Sequence, residues 1–98
     1  MSYVTTVKGK FLEYKGKPLV RENNTISYGN MTDEYILFML ILSYEKFLNT
    51  EVPSRILIQI LSTDQTLSPH DRILKQGEKT NLFDAFDIGM IWLERALA

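Results

Sequence analysis

Tyr35-Ile36-Leu37-Phe38-Met39-Leu40-Ile41-Leu42 is the stretch on which the fold turns. Its eight residues are apolar without a break, so periodicity alone does not name the element. Leu and Met favour helix over strand. The residues before the run also resemble a helix start. Thr32 can cap, and Asp33 and Glu34 put negative charge in a first turn, where the helix dipole favours it. With Ser43, Tyr44, Glu45, Lys46, Phe47 and Leu48 continuing it, the run predicts a helix over 33–48. A helix this apolar needs protein against more than one side.

Beyond it, Asn49-Thr50-Glu51-Val52-Pro53 is a break. Arg55-Ile56-Leu57-Ile58-Gln59-Ile60-Leu61 then reads as a strand. Three isoleucines share one face, and Leu57 and Leu61 share the other with Gln59 between them, which suits an interior strand. Ser68-Pro69-His70-Asp71 has the form of a helix start, with a capping Ser, a Pro at the first position and an acid three residues after the cap. It predicts a short helix over 69–76, ending near Gly77. Thr80 or Asn81 caps a last helix, Leu82 to Leu97. One seam of it is Leu82, Phe86, Gly89, Leu93 and Leu97, and a second is Ala85, Ile88, Trp92 and Ala96. Gly89 costs about 1 kcal/mol relative to Ala in a helix interior, so another backbone is expected to approach closely there.

Upstream, Val4 to Tyr14 is rich in β-branched and aromatic residues, and Lys15-Gly16-Lys17-Pro18 is a turn. Leu19–Glu22 and Thr25–Tyr28 read as strands joined at Asn23-Asn24, where Asn tolerates positive φ. The expected fold class is α+β. It is a two-layer sandwich with a three-stranded N-terminal meander plus a fourth strand, order βββ-α-β-α-α, helices packed on one face. If the 56–61 strand pairs in parallel with the meander, the 33–48 helix is a right-handed crossover. Residues 1–98 make a single domain with no linker.

Composition narrows the function classes. The chain has 98 residues, 45% hydrophobic and 23% charged, enough for one core and unlike a disordered chain. No cysteine is present, which excludes disulfides, cysteine metal sites and a thiol nucleophile. Eleven basic residues face twelve acidic ones, so no overall field recruits nucleic acid or an anionic membrane. Residues 1–6 lack a basic region followed by an apolar run, and no apolar run nears the 20 or so residues of a membrane span. The expectation is a cytoplasmic protein without a membrane segment. Asn23-Asn24-Thr25 and Asn30-Met31-Thr32 match the N-glycosylation pattern and are read as turns.

Four features carry chemistry. Lys8, Lys10, Lys15, Lys17 and Arg21 against Glu13 and Glu22 give +3 over residues 1–22, and lysines beside aromatics can hold phosphates and stack bases. Lysines near sheet edges also simply keep a small sheet soluble. The loop 62–72 carries Asp64, His70 and Arg72. The only imidazole and a carboxylate would do acid–base work, and the guanidinium would hold an anion. Ser68 and Asp71 are equally a capping pair. Asp84, Asp87 and Glu94 could hold a divalent cation, though acids near a helix N-terminus stabilise it without a metal. Last, two long helices apolar on three sides exceed what a four-stranded sheet covers, which points to mutual burial or to another subunit. The reading expects a non-catalytic protein-interaction module that binds a protein partner or a further copy of itself, with no cofactor and no metal. A small-ligand or enzymatic role at 62–72, and weak nucleic-acid binding by the basic meander, are the alternatives.

Overall fold

The computed structural model describes residues 4–7 and 11–98, with side chains from Leu12 onward. Seven strands and one helix follow in order: β1 Val4–Val7, β2 Phe11–Tyr14, β3 Lys17–Glu22, β4 Thr25–Tyr28, β5 Tyr35–Phe47, β6 Thr50–Ser62, β7 Ile73–Lys79 and α1 Leu82–Leu97. The strands form a single sheet in chain order, every neighbour antiparallel. Helix α1 lies across one face of it. The expected βββ-α-β-α-α sandwich is therefore overturned. Two of its three helices give way to strands, its three-stranded meander is four strands, and no parallel pairing occurs among the described residues.

The decisive run belongs to β5. Leu37, Met39 and Ile41 point under α1 and are 0%, 1% and 3% exposed. Ile36, Phe38 and Leu40 alternate with them onto the opposite face. Both faces of this interior strand are apolar, so its period of two is invisible in the sequence. Pairing decides instead. Met39 lies between Ile26 of β4 and Ile58 of β6, and a strand in that slot satisfies its backbone on both sides. The presumed cap is a turn, in which the Asp33 amide donates to the Asn30 carbonyl at 3.0 Å.

The presumed 69–76 helix fails differently. Its cap forms: the Asp71 amide donates to Ser68 Oγ at 3.3 Å, and the Arg72 amide to the Ser68 carbonyl at 3.1 Å. That single turn is not continued. Ile73–Lys79 leaves it to pair with β6 as an edge strand, from Leu61↔Ile73 to Ile56↔Lys79. The isoleucine strand is present and longer than expected, with Ile56, Ile58 and Ile60 all at 0% exposure.

Helix α1 stands where the pattern put it. Asn81 caps it, accepting from the Asp84 amide at 2.8 Å. Ala85, Gly89 and Leu93 form its buried line, drawn from both predicted seams. A Cβ on Gly89 would lie 2.7 Å from Leu37 Cδ1 and 3.4 Å from Ile58 Cγ2. The close neighbours are thus side chains of the sheet, not the expected backbone. Gly77 of β7 plays a matching part, since a Cβ there would lie 2.8 Å from Trp92 Cη2. The glycine lets the indole lie on the strand.

The second layer is incomplete. Seven strands at about 4.8 Å spacing are far wider than one helix about 10 Å across. The helix backbone runs over β5, β6 and β7 only. At one end, β5 and β6 also outrun their neighbours. Pairing to β4 stops at Leu40 and pairing to β7 at Ile56, so residues 43–55 project as a two-stranded arm. Its tip places Leu48 and Asn49 at positive φ, 49° and 66°, with Leu48 82% and Phe47 63% exposed.

Candidate functional site

The uncovered part of the helix side forms a cleft of about 610 Å³ between α1 and strands β2, β3 and β4. Leu12, Leu19 and Ile26 pave its floor, because they share the helix side of their strands with Leu37 and Met39. One wall is the helix flank of Leu82, Phe83 and Phe86. Tyr14, Tyr28 and Phe86 meet edge to face, with ring centroids 5.4 to 6.0 Å apart. This trio ties the uncovered strands to the helix. The Tyr28 hydroxyl donates to the Tyr14 carbonyl at 2.6 Å. Burial, and then the neighbouring Tyr14 and Glu94 charges, push the Tyr28 hydroxyl above its ordinary pKa.

Two opposite charges complete the cleft. Arg21 and Asp87 both line it and both are exposed. Arg21 Nε makes one long contact to the Asn23 carbonyl, 3.4 Å. Neither side chain is in a salt bridge among the described residues. Phe83 stands on the rim, 81% exposed. The cleft is apolar, with one cation and one anion free to meet a partner.

The loop 62–72 keeps its candidate residues apart. Asp64 closes a turn: its Oδ1 accepts from the Thr66 hydroxyl at 2.6 Å and the Thr66 amide at 3.0 Å. Those two hydrogen bonds hold its carboxyl below the usual range. Arg72 Nε donates to the Ser62 carbonyl at 2.9 Å, clamping the loop to the end of β6. His70 is exposed, and its ring makes no hydrogen bond among the described residues. His70 and Arg72 do line a shallow depression of about 320 Å³ with Gln59, Leu61, Pro69 and Ile73. Asp64 is not part of it. Since β6 is antiparallel to both neighbours, the rule that places ligands at the carboxyl ends of parallel strands does not reach this loop.

The basic stretch is likewise divided. Lys8 and Lys10 lie outside the described residues. Lys15 sits in the β2–β3 turn with its ammonium 5.6 Å from the centre of its neighbour's ring, Tyr14. Lys17 is half-buried against Asp33, Nζ to Oδ2 at 2.9 Å. That oxygen is buried and makes no well-directed hydrogen bond, so the ammonium is what compensates its charge. Of the three acids on α1, Asp84 accepts from the side chain of Asn81 at 2.8 Å. Asp87 lines the cleft. No cluster of three potential metal ligands occurs among the described residues.

The cleft was not legible as a site. Arg21 counted only toward a basic stretch, and Asp87 only as a helix acid. One signal was available. Phe83, Phe86 and Met90 follow each other at three- and four-residue steps, only Phe86 belonging to the main seam, and mark a second apolar flank on α1 with Asp87 beside it. No helix among the described residues is long and apolar enough to cross a membrane. Comparison with family models, with curated proteins and with solved structures finds no match.

Proposed function

We propose that this chain is a non-catalytic protein-interaction module that associates with further copies of itself. The observation carrying this reading is an incomplete second layer: the helix backbone runs over β5, β6 and β7, and on β2 and β3 Leu12 and Leu19 stay half-buried beside it. The apolar residues that sequence arithmetic assigned to two oversized helices sit instead on a broad sheet. They leave a cleft on one face, and Ile36, Phe38, Leu40, Leu57 and Leu61 half-buried on the other. Less supports the alternative of an enzyme or anion site at His70 and Arg72. The Arg72 guanidinium already serves the backbone there, and no described residue orients the imidazole by a hydrogen bond.

Sedimentation velocity across a wide concentration range tests the reading. The expected result is a shift from monomer to dimer mass within the micromolar range. A monomer at every concentration sinks it.

A further inference from the structure

We infer that the cleft is where a second copy of this chain docks. The arrangement is two-fold, with Phe83 of each copy seated in the cleft of the other and Arg21 of each paired with Asp87 of the other. This rests on the self-association just proposed and names its surface.

Three properties of the cleft point to a second copy. The first is width. Strands β2 and β3, whose helix-side Leu12 and Leu19 are only half-buried, span about 10 Å, the width of one more helix. The only helix among the described residues is α1, and its flank toward the cleft carries Phe83, 81% exposed. The N-terminal half of α1 from a second copy would complete the layer that α1 of the first leaves unfinished. The second is shape. Knob and hole lie side by side in one patch, Phe83 on the rim and Leu12, Leu19 and Ile26 on the floor. A patch that contains both is self-complementary under a two-fold axis, because each copy both offers and receives. The third is charge. The cleft holds one cation and one anion, neither in a salt bridge among the described residues. A two-fold axis turns that pair into two intermolecular ion pairs. A cleft of one sign would repel its own copy.

The other surfaces carry less. The open sheet face has apolar residues but nothing that fixes an orientation. The salt bridge on it, Arg55 to Glu78 at 2.9 Å, is satisfied within the chain. The arm tip has exposed Phe47 and Leu48, and no feature of it selects a partner.

Charge exchange tests the arrangement. Arg21→Asp alone sets two acids against each other at both ends of the axis, and Asp87→Arg alone sets two bases against each other. Each single variant is expected to dimerise about a hundredfold more weakly than the original chain. Mixing the two variants in equal amounts restores opposite charges at both contacts, so a heterodimer re-forms at near the original affinity. Both positions are exposed. Circular dichroism should show both variants folded, and heterodimer formation itself proves it. A dimer that both single variants form as tightly as the original chain overturns this interface while leaving self-association standing. A monomeric original chain overturns both. So does a monomer whose cleft takes up anilinonaphthalene sulfonate with loss on Phe83→Ala, which makes the cleft a small-molecule site instead.

Discussion

The two halves of the sheet are built from the same kind of strand and end in different states. Under α1, Leu37, Ile56, Ile58 and Ile60 are wholly removed from solvent. Beyond β4, whose Ile26 and Tyr28 are still buried, the same face of β2 and β3 carries Leu12 and Leu19, which are only half-buried and look into a cleft. Alternation and antiparallel pairing continue unchanged across the boundary. What changes is the presence of a second layer. A strand acquires a faceted apolar side from its sequence, but burial of that side depends on what lies over it. The Tyr14, Tyr28 and Phe86 trio marks the seam, the last point at which the helix still reaches the uncovered strands.

The sharpest way to break this contrast is to truncate one leucine in each half. Leu37→Ala removes a side chain at 0% exposure and should cost about 4 kcal/mol of unfolding free energy. Leu19→Ala, at the cleft, should cost about 1 kcal/mol in the dilute monomer, because solvent already reaches the site. Urea denaturation of both measures the gap, and equal losses would erase the distinction between the halves. Next in size is Gly89→Leu. A side chain there collides with Leu37 and Ile58, and about 2 kcal/mol should be lost through overpacking. An unchanged melting midpoint would mean that α1 does not sit this close to β5 and β6.

The smallest effect belongs to the seam. Tyr28→Phe keeps the ring contacts and removes the hydrogen bond to the Tyr14 carbonyl, at a cost of about 1 kcal/mol near neutral pH. It should also change the alkaline limb of the stability curve. The Tyr28 hydroxyl has its pKa raised in the folded state, so the fold holds this proton more tightly than the unfolded chain does. That contribution is complete below the ordinary tyrosine value near 10 and is lost as pH rises through the folded value. The Phe variant should therefore lose less stability than the original chain between neutral pH and pH 11 or so. Parallel curves for the two proteins would show that Tyr28 is not held in this way.

Much of the local structure was legible, and the reasons are local. Thr25–Tyr28 is a strand bounded as expected, with Asn23 at φ 53° in its turn. The capping of α1 by Asn81 follows from a side chain that reaches an amide three residues on. The three isoleucines of β6 declare a face because Leu57, Gln59 and Leu61 break their pattern. Tyr35–Leu42 has no such interruption. Its neighbours Thr32, Asp33 and Glu34 imitate a cap but serve a turn and the ion pair to Lys17. Ser68 and Asp71 go further and form real capping contacts, yet only one turn follows. For the cleft, Arg21, Leu12 and Leu19 come together with Phe83 and Asp87 only through pairing across β2, β3 and β4, a register not fixed by any one segment.

The sequence by itself determined the amphipathic elements: the N-terminal strands, the isoleucine strand and the capped C-terminal helix. It also determined that the chain has no cysteine chemistry and no large net charge. Only the tertiary structure decided that the apolar run is a strand, that the sheet runs to seven strands in chain order, and that one helix leaves the β2–β3 part of a face half-buried. The physical reason is that an uninterrupted apolar segment satisfies its hydrophobic side chains equally well as helix or strand. Its backbone hydrogen bonds then settle the matter, and for β5 their partners are β4 and β6, segments elsewhere in the chain.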